Sequence, residues 1–169
     1  MSQVLLLKVV IKMSFTLTLT GDWDKAHDTL IKIGVNLRPM FEARLLEDGN
    51  FVLETLKGHI DKQDLSWTPL SPVTVLKKGH DTVYIETGTL KNGLRVEKVT
   101  SGKKNFSVFI GASNKVIHEP SGLLLSDLMI MLEYGTSKIP PRPLFEPTKE
   151  EVEEVLKEHW KDLMIRLVR

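Results

Sequence analysis

The chain has no cysteine in its 169 residues. Disulfide stapling and thiolate chemistry are therefore excluded, which suits a protein assembled in a reducing cytoplasm. It also lacks a charge excess of either sign, because 23 basic and 22 acidic side chains leave a net charge of +1. A dedicated nucleic-acid binder carries a basic surplus that neutralises phosphates, and overall none is present here. No apolar run approaches the roughly 20 residues a membrane helix needs. The nearest, Val4 to Ile11, contains Lys8 and lacks a basic leader and a small-residue cleavage site. A signal peptide is not expected there, and a buried strand is the simpler reading. Internal repeats and low-complexity tracts are missing too.

Enzyme signatures are equally scarce. The chain has no G-x-S-x-G elbow, no phosphate-cradling G-x-x-x-x-G-K-[ST], no H-E-x-x-H and no G-x-G-x-x-G. Five histidines are scattered: His27, His59, His80, His118 and His159. His118-Glu119 is the best acid–base pair on paper, but neighbours in sequence rarely converge on one substrate atom, and a solvated loop is the plainer reading. His59 and Asp61 are two metal ligands without a third. His159 falls on the inner face of the last predicted helix and reads as packed.

What is present is a length and composition suited to one packed domain: 41% apolar and 27% charged residues. Residues 1–20 end in alternation, with Phe15, Leu17 and Leu19 against Ser14, Thr16, Thr18 and Thr20, as in a half-buried strand. After Gly21 and a candidate cap at Asp22, an apolar stripe of Trp23, Ala26, Leu30, Ile33, Leu37, Phe41 and Leu45 predicts a long helix. Pro39 should kink or divide it, and Asp48-Gly49-Asn50 should weaken it before a second piece bearing Phe51, Leu56 and Ile60. Ser71 and Pro72 should open a short helix that Gly79 stops. Val83-Tyr84-Ile85 is a short strand candidate, and Thr87-Gly88-Thr89-Leu90 a turn entering one helical turn.

Leu94 to Thr100 and Phe106 to Gly111 predict a hairpin across Ser101–Asn105. A polar loop over 114–122 follows. Leu123 to Tyr134 is a buried helix or a strand, ended by Gly135; periodicity does not choose between them. Residues 136–147 form a proline-rich extended arm. Thr148-Lys149-Glu150-Glu151 reads as a capping box opening a last helix with Val152, Val155, Leu156, His159, Leu163 and Leu167 inward. Lys77-Lys78 and Lys103-Lys104 suit either passive contact with DNA in a channel or ordinary solvated turns. Trp67 beside two prolines is either an interface anchor or a lid on the core.

Three segments carry a resemblance. Trp67-Thr68-Pro69-Leu70-Ser71-Pro72-Val73-Thr74, followed by Lys77-Lys78-Gly79, is similar to a W-x-P-L-S-x-x-T pattern with a basic stretch. Ile85-Glu86-Thr87-Gly88-Thr89-Leu90-Lys91-Asn92-Gly93-Leu94 resembles L-x-x-T-G-x-L-R-x-S-I. Leu132-Glu133-Tyr134-Gly135-Thr136, running on to Ile139-Pro140-Pro141-Arg142-Pro143-Leu144-Phe145, looks like h-E-x-G-T-x-x-I-P-A-R-P-F-L. In this order and spacing they resemble the Mu/P2-type virion morphogenesis (tail completion) family of tailed bacteriophages, related to the HK97-type tail-component family. The chain departs from the pattern in its opening strand segment, in the stretch from His118 to Asp127, in Pro141 where alanine is common, and in the Leu144-Phe145 order.

The expected architecture is a single α+β domain, with a small, mostly antiparallel sheet packed on a long N-terminal helix and a C-terminal helix. The resemblance implies a non-enzymatic structural subunit of the head–tail junction or tail, found in the virion and assembled in the host cytoplasm. It would form a homo-oligomeric ring, hexameric by this reading, and meet other neck and tail proteins, with no membrane and no cofactor. The expected contact residues are Trp67, Lys103, Lys104, Tyr134, Pro140, Pro141, Arg142, Pro143 and Phe145. Arg142 offers a forked donor for a neighbour's carboxylate, although the arm can also pack on its own chain. Substituting Arg142 and Phe145 is expected to spare folding and impair assembly. The alternatives are a small hydrolase using His118, Glu119 and Asp127, and an assembly chaperone absent from the finished particle.

Overall fold

The computed structural model describes residues 23–101 and 105–168. The expected strand segment 1–20, the Asp22 cap and the hairpin turn with Lys103 and Lys104 lie outside the described residues.

Helix α1 (Trp23–Lys62) is one unbroken element of 40 residues, which corrects the expected divisions at Pro39 and at Asp48-Gly49-Asn50. Pro39 removes a single backbone donor and faces solvent, where water can take over the freed carbonyl. Gly49 is buried where α1 crosses the sheet, and a Cβ on it would stand 3.0 Å from a methyl of Val96 and of Val108. The glycine that suggests a break is thus the point of closest backbone approach. Its neighbour Asp48 is only 3% exposed and helps to bind the last helix.

As expected, α2 (Pro72–Lys78) is capped by the Ser71 hydroxyl, which accepts from Thr74 N–H at 3.2 Å, and is stopped by left-handed Gly79. Gly88 turns the chain into α3 (Thr89–Asn92). Between these two helices no strand forms at Val83–Ile85. Tyr84 instead occupies a turn at φ +64°, a conformation unusual for a bulky side chain. Gln63 pins that turn through both its amide atoms: Nε2 donates to Val83 O at 3.0 Å and Oε1 accepts from Val83 N–H at 2.8 Å.

Strands β1 (Leu94–Ser101) and β2 (Asn105–Ala112) form the predicted antiparallel hairpin, in register from Leu94 opposite Ala112 to Ser101 opposite Asn105. Leu94, Val108, Ile110 and Ala112 are buried, and Val96 packs beside them. The predicted polar loop carries one strand of a further two-residue ladder, β3 (Ile117–His118), whose partner β4 (Leu123–Leu124) opens the apolar segment that follows. Gly122, at φ +69°, closes its turn by donating to His118 O at 2.8 Å. The segment that periodicity leaves ambiguous is helix α4 (Leu125–Tyr134), with Leu125, Met129 and Glu133 buried four residues apart.

Helix α5 (Phe145–Val168) begins three residues before the expected capping box. Thr148 lies in its first turn, where the hydroxyl donates to Leu144 O at 2.6 Å. The helix runs antiparallel to α1. Phe41 meets Trp160 edge to face at 5.5 Å, Phe51 meets His159 at 5.9 Å, and His159 Nδ1 lies 2.8 Å from Asp48 Oδ1. His159 is therefore packed, as expected. Val155 is not on the inner stripe: it is 41% exposed, and Trp160 is buried instead. Leu56, Ile60, Leu94, Leu125 and Leu144 are at most 2% exposed and join α1, the sheet, α4 and α5 in one core. Each such side chain contributes about 1.5–3 kcal/mol of burial free energy. The architecture is the expected α+β class, with small antiparallel sheets and long N-terminal and C-terminal helices, the β1–β2 hairpin and α5 both packing on α1.

Candidate functional site

The three segments that carry the resemblance meet around a single groove of about 410 Å³. The first supplies Leu70, Ser71 and Thr74, the second Ile85, Glu86 and Leu90, and the third Ile139, Pro140 and Arg142, over an apolar floor from Leu128 and Leu132.

The third segment is built around Glu133. This residue, the last but one of α4, is buried at 6% exposure, and its carboxylate points at the start of α5. Leu144 N–H donates to Oε2 at 2.7 Å, Phe145 N–H reaches both oxygens at 3.1 Å, and Glu146 N–H donates to Oε1 at 3.2 Å. Pro147 has no N–H, and Thr148 N–H already bonds Leu144 O. One carboxylate thus satisfies the free donors of the helix start and sets a negative charge against the positive end of its dipole. The cap comes from eleven residues upstream, across a chain reversal at Gly135. That reversal is fixed at φ +73° and ψ 178°, a region open essentially only to glycine.

Arg142 ties this segment to the first. It is 4% exposed, and donates from Nε to Thr68 O at 2.8 Å and from Nη2 to Pro69 O at 3.1 Å. Trp67 Nε1–H donates to Pro143 O at 2.6 Å, and its ring lies 4.9 Å from that of Tyr84. The Tyr84 hydroxyl donates to Arg142 O at 2.5 Å. Burial above all, with the Glu133 charge second, pushes the Tyr84 phenol far above its ordinary range. Burial also draws the Arg142 guanidinium and the Lys78 ammonium below theirs.

Among the sequence candidates, Trp67, Arg142 and Phe145 are therefore joined inside one chain, and the arm packs on its own chain. The expected reach of Arg142 to a neighbour's carboxylate is replaced by two backbone carbonyls at home. With Phe145 only 9% exposed as well, substitution of this pair strikes the fold itself, contrary to the expectation that folding would be spared. Tyr134, Pro140, Pro141 and Pro143 remain on the surface, with Tyr134 61% exposed.

His118 is not in a solvated loop: it is 4% exposed at the groove wall. The structure does not seat it with Glu119 and Asp127 there. Ser121 Oγ lies 2.9 Å from its Nδ1, and Glu86 Oε2 lies 3.6 Å from its Nε2. His59 likewise pairs with Asp64, through Nδ1 at 2.7 Å, and not with Asp61. Asp61 instead accepts from Lys91 Nζ at 2.5 Å. Among the described residues no cluster of three or more His, Cys, Asp or Glu side chains is placed to hold a metal ion. No helix among them is long and apolar enough to cross a membrane.

Comparison of the chain with protein-family models, with curated proteins and with solved structures gave no match. The case for function therefore stands on the site itself. Sequence reasoning missed the capping role of Glu133 and the part of Tyr84. Pro147 was the available signal for the first, since proline inside a helix is tolerated only in the first turn. Nothing local marks Tyr84.

Proposed function

We propose that the chain is a structural subunit of the head–tail junction or tail of a tailed bacteriophage, working by protein–protein contact and without bond making. The observation that carries this reading is the convergence of the three resembling segments. They are far apart in sequence, yet all three line one groove; the first and third hydrogen-bond to each other through Trp67 and Arg142, and Tyr84, just ahead of the second, donates to the Arg142 carbonyl. The shared pattern thus corresponds to one rigid surface element, which is what an assembly interface needs. Strained backbone at Gln63, Ser66 and Tyr84, all at positive φ, lies on the loops leading into this element. The test is immunogold labelling and mass spectrometry of particles purified from a strain expressing the tagged chain. Label at the neck or tail supports the reading. Normal, infectious particles made without the chain would overturn it, and a requirement for the chain without its incorporation would mark a chaperone.

A hydrolytic reading has one observation in its favour, the Ser121–His118–Glu86 arrangement at the groove. Against it, Ser121 Oγ also lies 3.4 Å from both His118 O and Leu123 N, within its own turn. Ester turnover that Ser121→Ala abolishes would favour hydrolysis.

A further inference from the structure

His59 sits where three segments cross. It lies in the last turn of α1, and its imidazole is only 8% exposed. Each ring nitrogen faces a carboxylate from a different segment. Nδ1 lies 2.7 Å from Asp64 Oδ1, on the chain that leaves α1, and Nε2 lies 3.2 Å from Glu151 Oε2, in the second turn of α5. The first contact is an aligned hydrogen bond. The second is an ion-pair contact only: Nε2 is buried and makes no aligned hydrogen bond. Lys62, on the same helix, acts on Asp64, and Lys91 of α3 is engaged by Asp61.

A proton has different consequences at the two ends of this ring. A carboxylate only accepts, so a nitrogen facing one needs its own hydrogen. Neutral imidazole carries a single N–H, and the aligned bond to Asp64 places it on Nδ1. Nε2 then turns a buried lone pair toward Glu151. Imidazolium carries both hydrogens and holds both carboxylates. The Asp64 carboxyl is held below its ordinary range first by its bond from His59, in keeping with a donor at Nδ1. The segment that Asp64 braces is strained: Gln63 and Ser66 on either side of it have φ +54° and +51°. It leads directly to Trp67 and the groove, and Gln63 pins the Tyr84 turn.

We propose that His59 is a proton-operated clasp, which with its second proton ties α5 to the end of α1 through Glu151 and without it lets that tie open while the Asp64 brace stays. The clasp is closed on the acid side of the histidine range and opens as pH rises through it, because the histidine gains this partner only in its charged form. Glu151 is 59% exposed, so solvent receives it when it is released. The clasp goes beyond the assembly reading and does not depend on it.

The experiment is nitrogen-15 histidine NMR on the full chain, which reads the proton on each ring nitrogen, in the wild type, Glu151→Gln and Asp64→Asn. Both carboxylates are more than two-fifths exposed, and circular dichroism checks that each variant keeps its fold. As pH rises from about 5 to about 9, the wild-type ring should lose its proton from Nε2 and keep the one on Nδ1. Glu151→Gln should move the midpoint of that step down by about half a pH unit, a roughly threefold loss of proton affinity, with solvent screening keeping the effect modest. Asp64→Asn should shift part of the neutral population to the Nε2–H tautomer. Urea denaturation reads the same clasp as stability. Glu151→Gln should lower the folding constant about threefold at pH 5.5 and change it little at pH 8.5. A neutral ring protonated on Nε2 in the wild type, a midpoint unmoved by Glu151→Gln, a ring that does not titrate in this span, or a stability loss equal at both pH values would overturn the proposal.

Discussion

Replacing Glu133 tests the central structural claim, that one buried carboxylate starts α5. In Glu133→Ala the N–H groups of Leu144, Phe145 and Glu146 lose their acceptor, and the first two belong to buried residues. A buried unsatisfied donor costs about 1–3 kcal/mol, and loss of the charge–dipole contact adds up to about 2 kcal/mol. Water entering the space of the lost side chain, and relief of the carboxylate's own desolvation, offset part of this. The expected net loss is about 3–5 kcal/mol, in the range for breaking a buried charged network. Glu133→Gln keeps the shape and one acceptor oxygen but turns an NH₂ toward N–H donors, so about 2 kcal/mol is expected. Urea denaturation followed by tryptophan fluorescence gives both values, with exposed Glu150→Ala as a control within about 0.5 kcal/mol. Hydrogen exchange at residues 144–146 should accelerate ahead of the rest of α5. A loss under about 1 kcal/mol in the alanine variant, or unchanged exchange there, would refute the capping assignment.

Other perturbations follow from the same packing. The raised pKa of Tyr84 means that the folded state holds its proton where the unfolded chain releases it. Its contribution is complete below pH 10 and declines as pH rises beyond, by about 1.4 kcal/mol per pH unit. Tyr84→Phe should flatten that alkaline slope in pH-dependent denaturation, at a fixed cost of about 1 kcal/mol for leaving Arg142 O unpaired. Two of the three glycines of α1, Gly49 and Gly58, should behave differently. Gly58→Ala meets no atom within 4 Å and should gain up to about 1 kcal/mol of helix propensity. Gly49→Ala should gain nothing, because its methyl presses on Val96 and Val108, and thermal melts of the pair decide this. Arg142→Ala should cost about 3 kcal/mol, measured by urea denaturation, because it leaves the Thr68 and Pro69 carbonyls unpaired at the base of the Trp67 loop. Asp64 is held below its ordinary pKa first by its hydrogen bond from His59. Its contribution is therefore present above pH 3.8 and lost on acidification below it, and Asp64→Asn should blunt the acid limb of the stability profile.

The amino-acid sequence by itself determined the elements whose causes are local. Ser71 and Pro72 at the start of α2 and Gly79 at its end, the one-turn helix after Gly88, and the alternation of β1 and β2 all rest on interactions within a few residues. The stripe of α1 was equally legible, and with it the α+β class. The tertiary structure decided what local rules leave open or misread. Gly49 reads as a breaker until Val96 and Val108 are seen against it. Thr148 reads as a cap until Glu133 reaches the helix three residues earlier. His118 pairs with Glu86 and Ser121, Arg142 with Thr68 and Pro69, and Tyr84 accepts a strained turn because Trp67 and the Arg142 carbonyl hold it. A helix cap, a buried cation or a close backbone approach is satisfied by whichever group the fold brings within about 3 Å, and proximity in space is not written in proximity along the chain.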